Sequence, residues 1–371
     1  MRVLLTGGGT AGHINPALAI AETVKRNCPD AKIEFVGIKG GKEDDLVARE
    51  GYRLHHVRSM GFDRSHLLPN VKALYLAVCS PYQRKTTKIL DEFRPDIVIG
   101  TGGYACWPIM AAAARRGIPT ALHESNAQAG LAIRQLQRRV DRIWINFEDT
   151  GKQLNTKKPV VLVGNPVRGE FGVYSKADAR KRLGIGADEF YVLSFGGSLG
   201  AEPVNEAMLM LMKSVAEQSP RMRFLHASGK RDSAQCASRF KALGLDRLQN
   251  CTLTEYVYDM PLQMAAADVV ISRAGAMTLT ELARMRKAAI LIPSPHVAAD
   301  HQHRNAQALA KHGAAILVKE ADLENGELSR CFKMLAEDPA MRAKMEERIG
   351  GFVQKDANRT IWEQILEMTK K

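Results

Sequence analysis

The sequence predicts an α/β protein with two doubly wound parallel sheets, and three observations carry that expectation. A short apolar strand runs straight into a glycine turn and then a helix at 3–24, and the same order restarts at 191–215. The chain has 371 residues, which suits two domains at roughly 150 residues each. In the first copy, residues 3–6 read as a strand and Gly7-Gly8-Gly9-Thr10-Ala11-Gly12 as the turn, after which Ala17, Ile20, Ala21 and Val24 recur at helical spacing. Strand candidates at 32–38 and 96–100, separated by helix-period segments, indicate βαβ units. In the second copy, 191–195 is the strand, 196–201 the turn and 204–215 the helix, with further strand-like runs at 224–227, 269–272, 289–293 and 315–318. Between the copies a strand from 160 ends in Gly164-Asn165-Pro166, where a hinge is expected. Two domains would then face each other across a cleft at the open ends of their sheets.

Composition narrows the class. Hydrophobic residues at 45% and charged residues at 25% exclude disordered, collagen-like and disulfide-scaffold chains. Lys plus Arg number 53 against 40 Asp plus Glu, and the balance of +13 points to an anionic partner: nucleic acid, a phosphorylated ligand or an acidic membrane surface. No nucleic-acid-binding motif or interleaved aromatic and basic platform accompanies the charge, so nucleic acid is not expected as the partner. Cys28, Cys79, Cys106, Cys236, Cys251 and Cys331 are scattered without a C-x-x-C pair. Neither a zinc site nor a disulfide framework is indicated, and a reducing cytosolic compartment fits. The opening Met1-Arg2-Val3-Leu4-Leu5 turns into glycines too soon for a signal peptide. No apolar run approaches the roughly 20 residues that span a bilayer, so membrane contact is expected to be peripheral.

Several residues could carry chemistry. Gly7-x-Gly9-x-x-Gly12 matches the dinucleotide fingerprint, whose helix N-terminus favours an anion. That fingerprint also wants an acid at the end of the second strand, which here reads Phe35-Val36-Gly37-Ile38-Lys39. An NAD site is therefore disfavoured, and the loop either faces a phosphate or another substrate group or is a tight turn needed for packing. Gly196-Gly197-Ser198 repeats the anion logic and adds a hydroxyl. Arg168 is either a charge-assisted diphosphate contact or a solvated arginine. After Ser272-Arg273-Ala274-Gly275, the side chains of Thr278, Thr280 and Glu281 fall in the first turns of a helix. They either meet phosphate and ribose or only cap the helix. His123-Glu124-Ser125-Asn126 closes an apolar run, and His13 and Glu124 are the general-base candidates.

Together, GGGTAGHINP at 7–16, GTGGY at 100–104, HESN at 123–126, GNPVR at 164–168, GGSLGA at 196–201, SRAGAMTLTE at 272–281 and DHQHRNA at 300–306 resemble the MurG family of glycosyltransferases. They stand in the family's order and cover nearly the whole chain. The resemblance implies the GT-B architecture: two Rossmann-like domains facing a cleft, with a helix near 352–368 crossing back onto the first. Residues 1–166 and 354–371 would form the acceptor- and membrane-facing domain, and 167–353 the UDP-GlcNAc-binding domain. It also implies inverting transfer of GlcNAc from UDP-GlcNAc to the 4-hydroxyl of MurNAc in undecaprenyl-pyrophosphoryl muramyl pentapeptide. The product would be a β-1,4 bond, made during peptidoglycan synthesis at the cytoplasmic face of the membrane, where other cell-wall synthesis proteins are candidate partners.

Carried over residue by residue, the donor site would use Thr10, Ala11, Gly12, Asn126, Arg168 and Ser198. The backbone of Val257 would meet the uracil, and the run Ala276, Met277, Thr278, Leu279, Thr280 and Glu281 would follow, with Glu281 on the ribose. Gln302, with His301 as its alternative, would lie near the sugar. Ala11 stands where the family often has glycine, and Val257 where isoleucine is common. No cofactor is implied, UDP-GlcNAc being a substrate, and without an Asp-x-Asp pair no obligatory metal is expected. At 74–88, Leu74, Tyr75, Tyr82, Arg84 and Lys85 combine apolar, aromatic and cationic side chains, with Trp107 as a further member. On the residues alone an amphipathic core helix with a basic end is the favoured reading. The resemblance turns the expectation to contact with an anionic membrane.

Overall fold

The computed structural model describes residues 1–370 apart from 42, 58–79, 170, 298–299 and 353–355, and the side chains of 11 and 80–83 are also outside the description. The chain divides into two compact units, Met1–Arg168 with Gln354–Lys371, and Gly169–Val353.

The first unit holds β1 (Arg2–Thr6), β2 (Lys32–Ile38), β3 (Arg53–Val57), β4 (Ile97–Gly100), β5 (Thr120–Glu124), β6 (Arg142–Ile145) and β7 (Val160–Leu162). They lie in the order β3-β2-β1-β4-β5-β6-β7, every pairing parallel. Strand direction explains why the central strands read as unbroken apolar runs: both faces are covered. Val3 and Leu5 of β1 and Ile97 and Ile99 of β4 pack into one core with the helix Ala11–Asn27, while Leu4 and Val98 pack into the other with the helix Cys106–Arg115. The last helix, Ala357–Thr369, belongs to this unit and buries Ile361 and Ile365 in the first of those cores. Arg142 grips it with a fork of bonds to Glu367 at 2.8 and 2.9 Å. The Asn358 side-chain amide also pairs with both backbone groups of Val167, at 3.0 and 2.8 Å.

The second unit holds β8 (Phe190–Phe195), β9 (Met222–Ala227), β10 (Cys251–Thr254), β11 (Val269–Ser272), β12 (Ala288–Leu291) and β13 (Ile316–Leu317). Their order is β10-β9-β8-β11-β12-β13, again parallel throughout. Each sheet reverses its winding once, between β1 and β4 and between β8 and β11. Open α/β sheets bind ligands at the carboxyl ends of such strand pairs. All four strands there end in motif residues: Thr6 before the first glycine loop, Gly100 of GTGGY, Phe195 before the second loop, and Ser272 of SRAGAM. Among the described residues, no helix is long and apolar enough to cross a membrane.

Candidate active site

In the first unit, the loop 7–10 is packed by the chain's own side chains. A Cβ on Gly7 would collide with the Thr101 hydroxyl, one on Gly8 with the Glu43 carboxyl, and one on Gly9 would stand 2.7 Å from the Tyr104 ring. Only Gly12 opens outward, its nearest neighbour being Thr10 Oγ1 at 3.6 Å. The GTGGY turn lies alongside. Gly103 has a φ of +78°, and a Cβ there would overlap the Gly8 carbonyl oxygen and stand 3.1 Å from His13 Nδ1, so glycine is required on both counts. His13 is half-buried between the two turns, with Nδ1 3.1 Å from Thr10 Oγ1 and 3.2 Å from the Gly8 carbonyl oxygen. Thr101 fixes the backbone beneath it by donating its hydroxyl to the His13 carbonyl at 2.6 Å.

The HESN segment ends β5 and is held from several sides. His123 is buried, and burial pushes its imidazole down to about 4, so the ring is neutral. Nε2–H donates to the Gly164 carbonyl at 2.9 Å, and the Ser125 hydroxyl lies 3.3 Å from Nδ1. Glu124 is buried too, and its carboxyl is raised by burial against the pull of the amides around it. Oε1 accepts from the Asn126 backbone and side chain at 2.9 and 3.0 Å, and Oε2 from Gly130 N–H at 2.7 Å. Both oxygens are thus engaged in bracing the loop 125–130. Arg168 lies beside Glu50 Oε1 at 3.1 Å and Glu22 Oε2 at 3.9 Å.

In the second unit the loop 196–201 rests on the turn after β9. Lys230 N–H donates to the Ser198 carbonyl at 3.2 Å and Arg231 N–H to that of Leu199 at 3.0 Å, while Ser198 itself is exposed. A buried network supports that turn. Asn205 Nδ2 donates to the Ser228 carbonyl at 3.0 Å, which turns Oδ1 toward His226 Nε2–H at 3.0 Å and leaves His226 Nδ1 to accept from Ser194 at 2.8 Å. Burial holds His226 at about 4, in keeping with a neutral ring.

Beside this loop, Gly275 caps the helix Ala276–Arg284, and a Cβ on it would meet only Thr278 Oγ1, at 3.8 Å, so the helix N-terminus is open to a ligand. Ala276, Met277 and Leu279 are buried, so they can offer only backbone groups. The Thr280 hydroxyl donates back to the Ala276 carbonyl at 3.0 Å, while Thr278 and Glu281 are half-buried. Val257 is buried, and Gln302 Oε1 accepts from Ser294 N–H at 2.9 Å. Asn305 donates to the Ala274 carbonyl at 3.3 Å, tying the helix His301–Ala310 to the same loop.

Residues 3–145 match the glycosyltransferase family 28 N-terminal domain, and residues 191–361 match its C-terminal domain. A relative from Thermoanaerobacter sp. (strain X514), named UDP-N-acetylglucosamine--N-acetylmuramyl-(pentapeptide) pyrophosphoryl-undecaprenol N-acetylglucosamine transferase, is 38% identical over 369 residues, covering 100% of each chain. The crystal structure of MurG from Acinetobacter baumannii superposes with a TM-score of 0.78 at 26% identity, covering 99% of both chains. The chain belongs to the MurG family. An Acetivibrio thermocellus relative of the same name is also 38% identical, over 100% of this chain and 99% of its own. UDP-GlcNAc 2-epimerase from Neisseria meningitidis, solved with UDP-GlcNAc, shares the fold with a TM-score of 0.63 at 15% identity.

Within this MurG-family chain the first unit brings Thr10, Gly12, His13 and Tyr104 together around the β1 and β4 ends. The second unit brings Ser198, Gly275, Thr278 and Glu281 to the β8 and β11 ends. Sequence reasoning missed three supports: Glu43 behind the first loop, the His226–Asn205 pair below the second, and Arg273. The Arg273 guanidinium is paired with Glu320 and donates to the Ile292 carbonyl at 3.2 Å. Of the residues expected at a membrane, Leu74 and Tyr75 lie outside the described residues, as does the side chain of Tyr82. Arg84 and Lys85 are exposed on the helix Ser80–Phe93, and Trp107 is half-buried with Arg139 5.6 Å above its ring.

Proposed function

We propose that the chain transfers N-acetylglucosamine from UDP-GlcNAc to the 4-hydroxyl of the muramyl sugar in undecaprenyl-pyrophosphoryl muramyl pentapeptide, a step of peptidoglycan synthesis. The observation that carries this reading is the full-length match to transferases of that name, with every glycine motif standing at a winding reversal of its sheet. The second unit would hold the donor. Amides of the loop 196–201 and of the helix N-terminus at Gly275 would face the diphosphate, the Val257 backbone the uracil, Glu281 the ribose hydroxyls and Gln302 the sugar. Thr10, Ala11, Gly12, Asn126 and Arg168 would complete the contacts from the first unit, Arg168 exchanging its Glu22 and Glu50 partners for phosphate.

His13 is the better base of the two candidates, because both Glu124 oxygens already serve amides. Nε2 would take the proton of the acceptor hydroxyl while its oxygen attacks the anomeric carbon from the face opposite UDP. The bond from that carbon to the β-phosphate oxygen breaks, its electron pair leaves with UDP, and the configuration inverts to give a β-1,4 bond. Incubation with radiolabelled UDP-GlcNAc and a short-chain lipid-linked muramyl pentapeptide tests the reading by label transfer together with UDP release. Donor binding without transfer would move the acceptor elsewhere.

Two further outcomes are expected. Turnover should survive EDTA, since N–H groups and arginine are proposed to stabilise the leaving diphosphate; loss on chelation with recovery on Mg²⁺ would contradict this. The enzyme is proposed to dock peripherally on the cytoplasmic face through the segment containing Arg84 and Lys85. Replacing both with Glu should then reduce sedimentation with anionic vesicles severalfold, at about 1 kcal/mol per cationic side chain. Unchanged binding would place the docking surface elsewhere.

A further inference from the structure

Behind the first glycine loop stands a carboxylate that neither the motifs nor the proposed chemistry uses. Glu43 opens the helix Glu43–Arg49 and is 1% exposed. Its Oε1 accepts the Gly9 N–H at 3.0 Å. Three glycines make its berth. A Cβ on Gly8 would collide with Oε1, one on Gly41 with Oε2, and one on Gly37 would stand 3.0 Å from Cγ.

The Gly9 N–H and the Gly8 carbonyl belong to one planar peptide unit. On the other side of that unit, the Gly8 carbonyl oxygen lies 3.2 Å from His13 Nδ1. A carboxylate drawing on the N–H polarises the amide and makes its carbonyl a stronger acceptor. A carbonyl oxygen can only accept, so it favours the ring form with hydrogen on Nδ1. The Thr10 hydroxyl, 3.1 Å from the same nitrogen, can donate or accept and so serves either form. The choice of tautomer therefore falls to the Gly8 carbonyl and to whatever polarises it.

We propose that Glu43 is a positioning residue that acts through the Gly8–Gly9 peptide to hold His13 with hydrogen on Nδ1 and the lone pair on Nε2. This deepens the reading of His13 as the base and rests on it only for its catalytic consequence. The arrangement is that of a carboxylate orienting a histidine, with one backbone amide inserted between them. It also gives the Gly9 N–H an internal anion in place of a ligand's phosphate.

The test is the pair of His13 ring nitrogen shifts in the ¹⁵N-labelled full-length chain, assigned by comparison with His13→Gln. The wild-type ring is expected with hydrogen on Nδ1, and Glu43→Gln is expected to raise the Nε2–H fraction. Transfer by Glu43→Gln should show kcat lowered on the order of 10- to 100-fold, the usual effect of losing an outer partner of a functional histidine. KM for both substrates should stay close to wild type. A wild-type ring with hydrogen on Nε2 would overturn the proposal without any variant, and so would an unchanged tautomer in a folded Glu43→Gln. A tautomer change with undiminished kcat would uphold the hold of Glu43 on His13 and overturn His13 as the base.

Discussion

Replacing His13 with alanine is expected to lower kcat by about 10²- to 10⁴-fold, the usual contribution of a positioned general base. KM for UDP-GlcNAc should change by less than about threefold, because an interaction made only in the transition state leaves ground-state binding alone. His13→Gln restores bulk and hydrogen bonding without a basic nitrogen, and it should be equally slow. The ring contributes in this position because its Nδ1 side is occupied by Thr10 and the Gly8 carbonyl, which leaves Nε2 to do the proton transfer. Glu124→Gln separates the rival assignment. An amide at 124 would turn its NH₂ toward Gly130 N–H or toward the Asn126 donors, stranding a buried donor at about 1–3 kcal/mol. Its mark should be a lower unfolding midpoint. Steady-state label transfer and urea melts on the same preparations decide the matter: His13→Ala with near-normal kcat, beside a stable but inactive Glu124→Gln, would reverse the assignment.

What could be read in the sequence was what local periodicity encodes. The strand expected at 32–38 is β2, 269–272 is β11, and 191–195 is β8 less one residue, because both faces of these central strands are buried and their apolar runs are unbroken. The edge strand β3 escaped notice because His55 and His56 interrupt it. Each is paired sideways to a carboxylate, Glu34 at 2.5 Å and Asp44 at 2.6 Å, so it does not read as an apolar run. The glycine loops were visible as motifs, but their supports were not. Glu43 stands in the first turn of a helix, where an acid looks like an ordinary dipole complement. Its contact with Gly9 exists only because β2 lies beside β1. His226 and Asn205 likewise meet only because the sheet sets β9 beside β8, with the helix Glu202–Val215 packed over them.

Gly229→Ala should be the most damaging single methyl group in the second unit. Gly229 has a φ of +81°, where an alanine is strained, and its Cβ would overlap the backbone N and Cα of Gly200 and stand 2.5 Å from the Leu199 carbonyl carbon. These obstacles are main chain, so no rotamer change can clear them. The strain costs about 1–3 kcal/mol, and overpacking adds about 1–3 kcal/mol. The loop 196–201 can escape only by breaking the Lys230–Ser198 and Arg231–Leu199 backbone bonds that set its shape. If that loop presents its amides to the donor diphosphate, UDP affinity should fall by more than tenfold as stability drops. Gly197→Ala is the control: φ is +98°, but nothing lies within 4 Å of the added carbon, so it carries strain without collision. Urea melts and calorimetric UDP titrations of the two variants therefore separate the effects. A Gly229→Ala protein that bound UDP as wild type does would mean that the donor diphosphate is held by the helix at Gly275 and not by the second glycine loop.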